Sequence, residues 1–132
     1  MNLSGLILVL ILGLVVVLIL TTLVSRVSKP RINKEYFIKH WQSIEALGST
    51  ESAVIKADSV LDEALKRASI KGSTMGERLN NSRGIIKDIQ GTWVAHKLRN
   101  QFVHEPDTKA TPAQCHYALG RFKKALKDIG AL

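Results

Sequence analysis

Residues 1–25 carry no charged side chain, and within them residues 6–24 form an apolar run broken only by Gly13, Thr21 and Thr22. This feature constrains the chain more than any other. A membrane-spanning helix needs about 20 predominantly apolar residues, at a rise of roughly 1.5 Å each, whereas core helices and the apolar part of cleaved leaders are usually shorter. A cleaved leader is the competing reading, but no Lys or Arg precedes the run and no small-x-small site follows it. Residues 1–25 are therefore expected to form a retained, single-pass transmembrane anchor.

Arg26, Lys29, Arg31 and Lys34 follow the run, and no basic side chain precedes it. This asymmetry predicts that the C-terminal part lies in the cytoplasm. The four cations supply half of the net charge of +8. They suit topology and contact with anionic headgroups better than nucleic-acid binding. Residues 26–34 read as a basic juxtamembrane linker, with Pro30 interrupting the chain, and residues 35–132 as one domain with one modest core. The single cysteine, Cys115, excludes an intrachain disulfide and agrees with a reducing compartment. Its place on an apolar stripe favours a small buried hydrophobe over a thiol nucleophile.

The domain reads as all-α, an antiparallel bundle of about four main helices after the transmembrane helix. A first helix is expected over residues 33–47, with Phe37, Trp41 and Ile44 on one face and Gly48 as its stop. A second begins after Ser49 or Thr50, with Val54, Ala57, Val60, Leu61, Ala64, Leu65 and Ala68 as its stripe. Lys56, Asp58, Asp62, Glu63, Lys66 and Arg67 fall mainly on its other side. Residues 71–76 break the pattern, and Glu77 to Leu79 suit a single extra turn.

A third long helix is expected from Ser82, carrying Ile86, Ile89, Trp93, His96, Asn100 and Val103 at alternating steps of three and four. Its apolar face gives way to imidazole and amide toward the C-terminus, as a buried face does on reaching a polar cleft. Gly84 and Gly91 each weaken a helix by roughly 1 kcal/mol relative to alanine, and close packing is their expected reason. Pro106 ends this helix. The last helix starts at the N-cap Thr111, with Pro112 in its first turn and Gln114 completing a capping box. Gly130 is its stop. Its stripe is Cys115, Ala118, Leu119, Phe122, Ala125, Leu126 and Ile129.

Near the end of the third long helix stands Leu98-Arg99-Asn100-Gln101-Phe102-Val103-His104-Glu105. Metal-free cleavage of RNA needs a base for the 2′-OH proton and a cation for charge developing on the phosphate. Histidine suits the first through a pKa near neutrality, and arginine the second through its planar fork of donors. Asn100 and His104 share a helical face. Arg99 and His104 lie about 140° apart around an ideal helix, so one straight helix does not bring them together. A break near His104 or a second subunit would be required.

Arg99-Asn100-x-x-x-His104, after Leu98 and before Glu105, resembles the signature of the HEPN superfamily: an arginine, a polar residue, spacer residues and a histidine near a helix end. The resemblance extends over residues 35–132. It implies a small helical bundle that acts on RNA as a metal-independent ribonuclease or a binding module, with its cleft built across a homodimer. It implies catalytic roles for Arg99, Asn100 and His104, with His96, Arg121 and Lys124 as RNA-binding candidates. No cofactor or metal is implied.

Two other classes compete. In a non-enzymatic module that docks a protein partner at the membrane, Arg99 and His104 would be buried in structural hydrogen bonds, helped by the helix dipole. In a lipid-surface module, Lys123, Lys124 and Lys127 would carry the contact. His96 sits on a mainly apolar stripe, where packing histidines are common. Glu105 and Asp107 are candidates to orient His104. A zinc site from His96, His104, Cys115 and His116 lacks paired ligand spacing. Trp41 and Trp93 sit at core spacing before they are base-stacking platforms.

Overall fold

The computed structural model of the chain describes residues 2–27, 32–105 and 107–132. It divides into two compact units, Met1–Pro30 and Arg31–Leu132. The described residues form six α-helices and no strand. The Pro30 interruption, Lys29 and Arg31 of the expected linker lie outside the described residues.

The first unit is the helix α1 (Leu3–Val27). Its apolar stretch Leu3–Val24 is long enough, at about 1.5 Å per residue, to cross the hydrocarbon core. By length and composition a signal sequence passes the same test. Thr21 and Thr22 return their hydroxyls to the carbonyls of Leu18 and Ile19, at 2.9 and 2.8 Å. That hides two polar groups which hydrocarbon would otherwise penalise.

The second unit holds α2 (Lys34–Glu45), α3 (Glu51–Arg67), α4 (Met75–Asn81), α5 (Ile89–His104) and α6 (Pro112–Ile129). Each start has a side-chain cap. Asn33, Thr50, Thr74, Asp88 and Thr111 accept from Tyr36, Ala53, Glu77, Gly91 and Gln114 backbone N–H groups, and the Thr111 and Gln114 capping box is complete. Gly130 closes α6 in the left-handed region at φ 84°. Helix α3 is the hub and packs against α2, α4, α5 and α6, while α6 also packs against α5.

The core joins Phe37, Trp41 and Ile44 of α2 to Val54, Leu61 and Leu65 of α3 and to Phe122 and Leu126 of α6. Cys115 lies in it, and burial pushes its thiol pKa up, so this sulfur packs as a small apolar group. Trp41 is buried with its indole N–H donating to Glu45, and Trp93 is partly buried against the same core.

Two sequence expectations change. The third long helix begins at Ile89, not Ser82: residues 82–88 are turns, in which Ile85 and Ile86 N–H groups return to the Ser82 carbonyl. The reason is a competing cap. Asp88 Oδ1 accepts from Gly91 N at 3.0 Å, and Asp128 on α6 takes the Lys87 N–H at 2.9 Å. Gly91 has the packing role expected of it, because an added Cβ would strike the Asp88 carboxylate and come within 2.8 Å of Arg121 Cδ. Gly84 does not, since nothing lies within 4 Å of an added Cβ. Asp58 is the second change: it stands on the buried face of α3 and is 4 % exposed.

Candidate functional site: a closed polar ring on α3 and α5

A buried carboxylate costs several kcal/mol unless cations or donors surround it. Asp58 finds them on α5. His96 Nδ1 lies 2.8 Å from Asp58 Oδ1, and Arg99 Nε lies 3.4 Å from Asp58 Oδ2. The second contact has ion-pair range without hydrogen-bond geometry, and Arg99 Nε is otherwise buried without a partner.

Asn100 closes the circuit. Its Nδ2 lies 3.3 Å from His96 Nε2, and its Oδ1 accepts from Arg99 Nη1 at 3.0 Å. Asp58, His96, Asn100 and Arg99 thus form a ring of four side chains from two helices. The spacing explains it: His96 and Asn100 are four apart on one helical face, and His96 and Arg99 are three apart. The Trp93 ring meets the His96 ring edge-on, with centroids 5.8 Å apart. His96 itself is 8 % exposed, so the ring is sealed on that side. The Arg99 side chain remains 26 % exposed, and its Nη2 makes no hydrogen bond to another described residue.

His104 is the last residue of α5 and is exposed, with no hydrogen bond or ion pair to another described residue. The structure therefore joins Arg99 to Asn100 by a hydrogen bond, and the His104 side chain bonds to neither. Glu105 accepts from the Thr108 hydroxyl at 2.9 Å and does not engage His104; Asp107 is also exposed. The loop after α5 is tied back by the Ala110 N–H, which donates to Glu51 at 2.7 Å.

The remaining candidates divide. Arg121 is committed within the chain: its Nη1 lies 2.6 Å from Asp88 Oδ2 and its guanidinium stacks 4.8 Å from the Tyr117 ring centroid. Lys124 is exposed and Lys123 pairs with Glu45 at 2.6 Å. Among the described residues no group of three His, Cys, Asp or Glu side chains is placed to hold a metal ion, and His96, His104, Cys115 and His116 are not gathered.

Two hollows open on the surface. One, of about 500 Å³, lies between α2 and α3 and is lined by Tyr36, Phe37, His40 and Lys56 among others. The other, of about 260 Å³, lies between α2 and α6 beside Trp41, His116 and Lys123. Neither is lined by Arg99, Asn100 or His104. The polar ring is thus separate from these two hollows, and it is the candidate site because it gathers buried, paired groups.

The residue that sequence reasoning missed is Asp58. A signal existed: Asp58 follows Ala57 and precedes Leu61 by three, inside the apolar stripe, where a carboxylate requires a partner. No protein-family model, curated protein or solved structure matches this chain.

Proposed function

We propose that this chain is a single-pass membrane protein whose second unit is a HEPN-like domain on the cytoplasmic side, cleaving or binding RNA as a homodimer without a metal ion. The basic residues that follow the apolar helix support this orientation. The observation that carries the reading is the state of Arg99: its guanidinium is backed by Asp58 and Asn100, yet Nη2 bonds to no described residue and the side chain is 26 % exposed.

Arg99 stabilises charge on the phosphate, and Asn100 positions the 2′-OH or the phosphate. His104 acts as general base or acid. As base it takes the 2′-OH proton while O2′ attacks phosphorus and the P–O5′ bond breaks, O5′ taking a proton from solvent water, which leaves a 2′,3′-cyclic phosphate and a 5′-hydroxyl. His104 is exposed, and five residues of helix set it about 140° from Arg99, which supports completion of the cleft by a second copy. The test is RNA cleavage in EDTA by the purified chain. Loss of cleavage in Arg99→Ala and His104→Ala supports the mechanism, and activity that survives both changes sinks it.

A second reading is a non-enzymatic module that docks a protein partner at the membrane. The hydrogen bond from Arg99 to Asn100 and its ion pair with Asp58 favour it, since they give Arg99 a structural role within the chain. A strictly monomeric chain that neither binds nor cleaves RNA would establish this reading over the first.

A further inference from the structure

The polar ring contains one member that can only accept hydrogen bonds, the Asp58 carboxylate, and one that can only donate, the Arg99 guanidinium, and these two set the direction of the rest. Asp58 Oδ1 faces His96 Nδ1 at 2.8 Å, so Nδ1 must carry the proton; an unprotonated Nδ1 would set acceptor against acceptor. With its proton on Nδ1, a neutral His96 offers Nε2 as an acceptor. Asn100 must then turn its Nδ2 toward His96. That leaves Asn100 Oδ1 facing Arg99 Nη1, where it accepts at 3.0 Å. The flipped amide would set donor against donor at Arg99 and acceptor against acceptor at His96. Only one arrangement satisfies the ring, and the accept-only carboxylate and the donate-only guanidinium impose it from opposite ends.

We propose that Asp58 is the positioning residue of the Arg99 site, holding the His96 tautomer, the Asn100 amide and Arg99 Nε so that Nη2 of the Arg99 guanidinium is held toward an RNA phosphodiester. This rests on the RNA reading given above for its substrate, but the ring itself can be tested separately. Asp58 acts on Arg99 from two directions. It acts directly, through the ion pair at Nε, and indirectly, through His96 and Asn100 to Nη1. The tethered nitrogens are Nε and Nη1, which lie on either side of Nη2. Nη2 remains for the phosphate, as electrostatic stabilisation requires of a donor that is fixed before the charge develops. His96 is too buried to meet the substrate and serves as the rigid link between carboxylate and amide.

The experiment uses the full chain in detergent micelles with ¹⁵N-labelled histidine. Long-range proton–nitrogen correlations should show His96 as the Nδ1–H tautomer. In Asn100→Asp, His96 Nε2 also faces a carboxylate, and the ring should become doubly protonated at a pH where the wild-type ring is neutral. Asp58→Asn keeps the shape and an acceptor for Nδ1 but removes the charge and with it the ion pair at Arg99 Nε. It should lower kcat for RNA cleavage by about 100-fold with KM little changed, the signature of a misaimed transition-state group. An Nε2–H tautomer in the wild-type chain overturns the ring, and so does an Asn100→Asp ring that stays neutral. Wild-type kcat in Asp58→Asn overturns the positioning role. Absence of cleavage by the wild-type chain overturns the RNA reading and the substrate assigned here, while the tautomer measurements still decide the ring.

Discussion

His96 Nδ1 stands 2.8 Å from Asp58 Oδ1, although the two residues are 38 apart in sequence, and both are almost sealed from solvent. The pair fixes the facing register of α3 and α5. Hydrophobic contact alone tolerates sliding of one helix along another, whereas a buried carboxylate accepts only the position that satisfies it.

This separates the two histidines of α5. Removing the His96 imidazole leaves the Asp58 carboxylate buried with a single, imperfectly aligned cation, so His96→Ala should cost about 3 kcal/mol of stability. His104 is exposed and makes no polar contact with the described residues, so His104→Ala should stay within about 0.5 kcal/mol of wild type. Urea denaturation of both variants, followed by far-UV circular dichroism, checks the contrast; equal midpoints would remove the structural role given to His96.

Gly84 and Gly91 give a second contrast. An alanine Cβ at Gly91 would meet the Asp88 carboxylate, which is both the cap of α5 and the partner of Arg121. Gly91→Ala should therefore destabilise by about 1–3 kcal/mol, as overpacking does. At Gly84 the space is open and the backbone does not enter the left-handed region. Gly84→Ala should be neutral or stabilising by up to roughly 1 kcal/mol, through a less flexible unfolded chain. Thermal unfolding of the two variants side by side distinguishes them.

These glycines also show where the sequence was legible. The bounds of α6 could be read from local signals: the Thr111 and Gln114 capping box, the Gly130 stop and its apolar stripe all appear in the structure. The start of α5 could not, because Ser82 begins a sound helical pattern and the deciding contacts come from elsewhere, namely Asp128 on α6 and the Arg121 pairing of Asp88. The site was half legible. Arg99 and Asn100 are neighbours in one motif, but Asp58 lies on another helix, and periodicity alone assigns a charged residue to solvent. Its burial follows from the approach of α3 to α5, which is tertiary information.

Acid should loosen the attachment of α4. Burial raises the Asp62 pKa, but hydrogen bonds and charge from Arg78 and Lys66 outweigh it, and the net result is a lowered value. A carboxylate whose folded pKa is depressed contributes stability that is present above its unfolded pKa and lost as pH falls through the folded one. The loss should therefore set in below about pH 4, the unfolded range for aspartate. Asp88 acts in the same direction: its pKa is lowered by the Gly91 N–H and by Arg121. Arg78 is buried, bonds to Asp62 at 2.6 Å and donates to the Gly72 carbonyl, so it bridges α3 and the segment before α4. Arg78→Ala should flatten the acid limb of the stability profile as well as lower the plateau. An unchanged acid limb in that variant would assign the pH dependence to other carboxylates.

Lys124 and Arg121 allow RNA contact to be separated from fold maintenance. Both lie on α6, but Lys124 is exposed whereas Arg121 joins the Asp88 cap to the Tyr117 ring. If the RNA reading holds, Lys124→Ala should weaken RNA binding about equally across sequences and reduce the magnitude of the salt slope by about 1, because one phosphate contact is lost. Its unfolding midpoint should move little, since Asp88, whose pKa the Lys124 charge helps to lower, is held mainly by the Gly91 N–H and Arg121. Arg121→Ala should instead lower the midpoint, by uncoupling α6 from the start of α5, and any loss of RNA binding should follow the loss of folded protein. Filter binding across a salt series, paired with thermal unfolding of each variant, measures both effects. A salt slope that is unchanged in Lys124→Ala would take Lys124 out of the RNA surface.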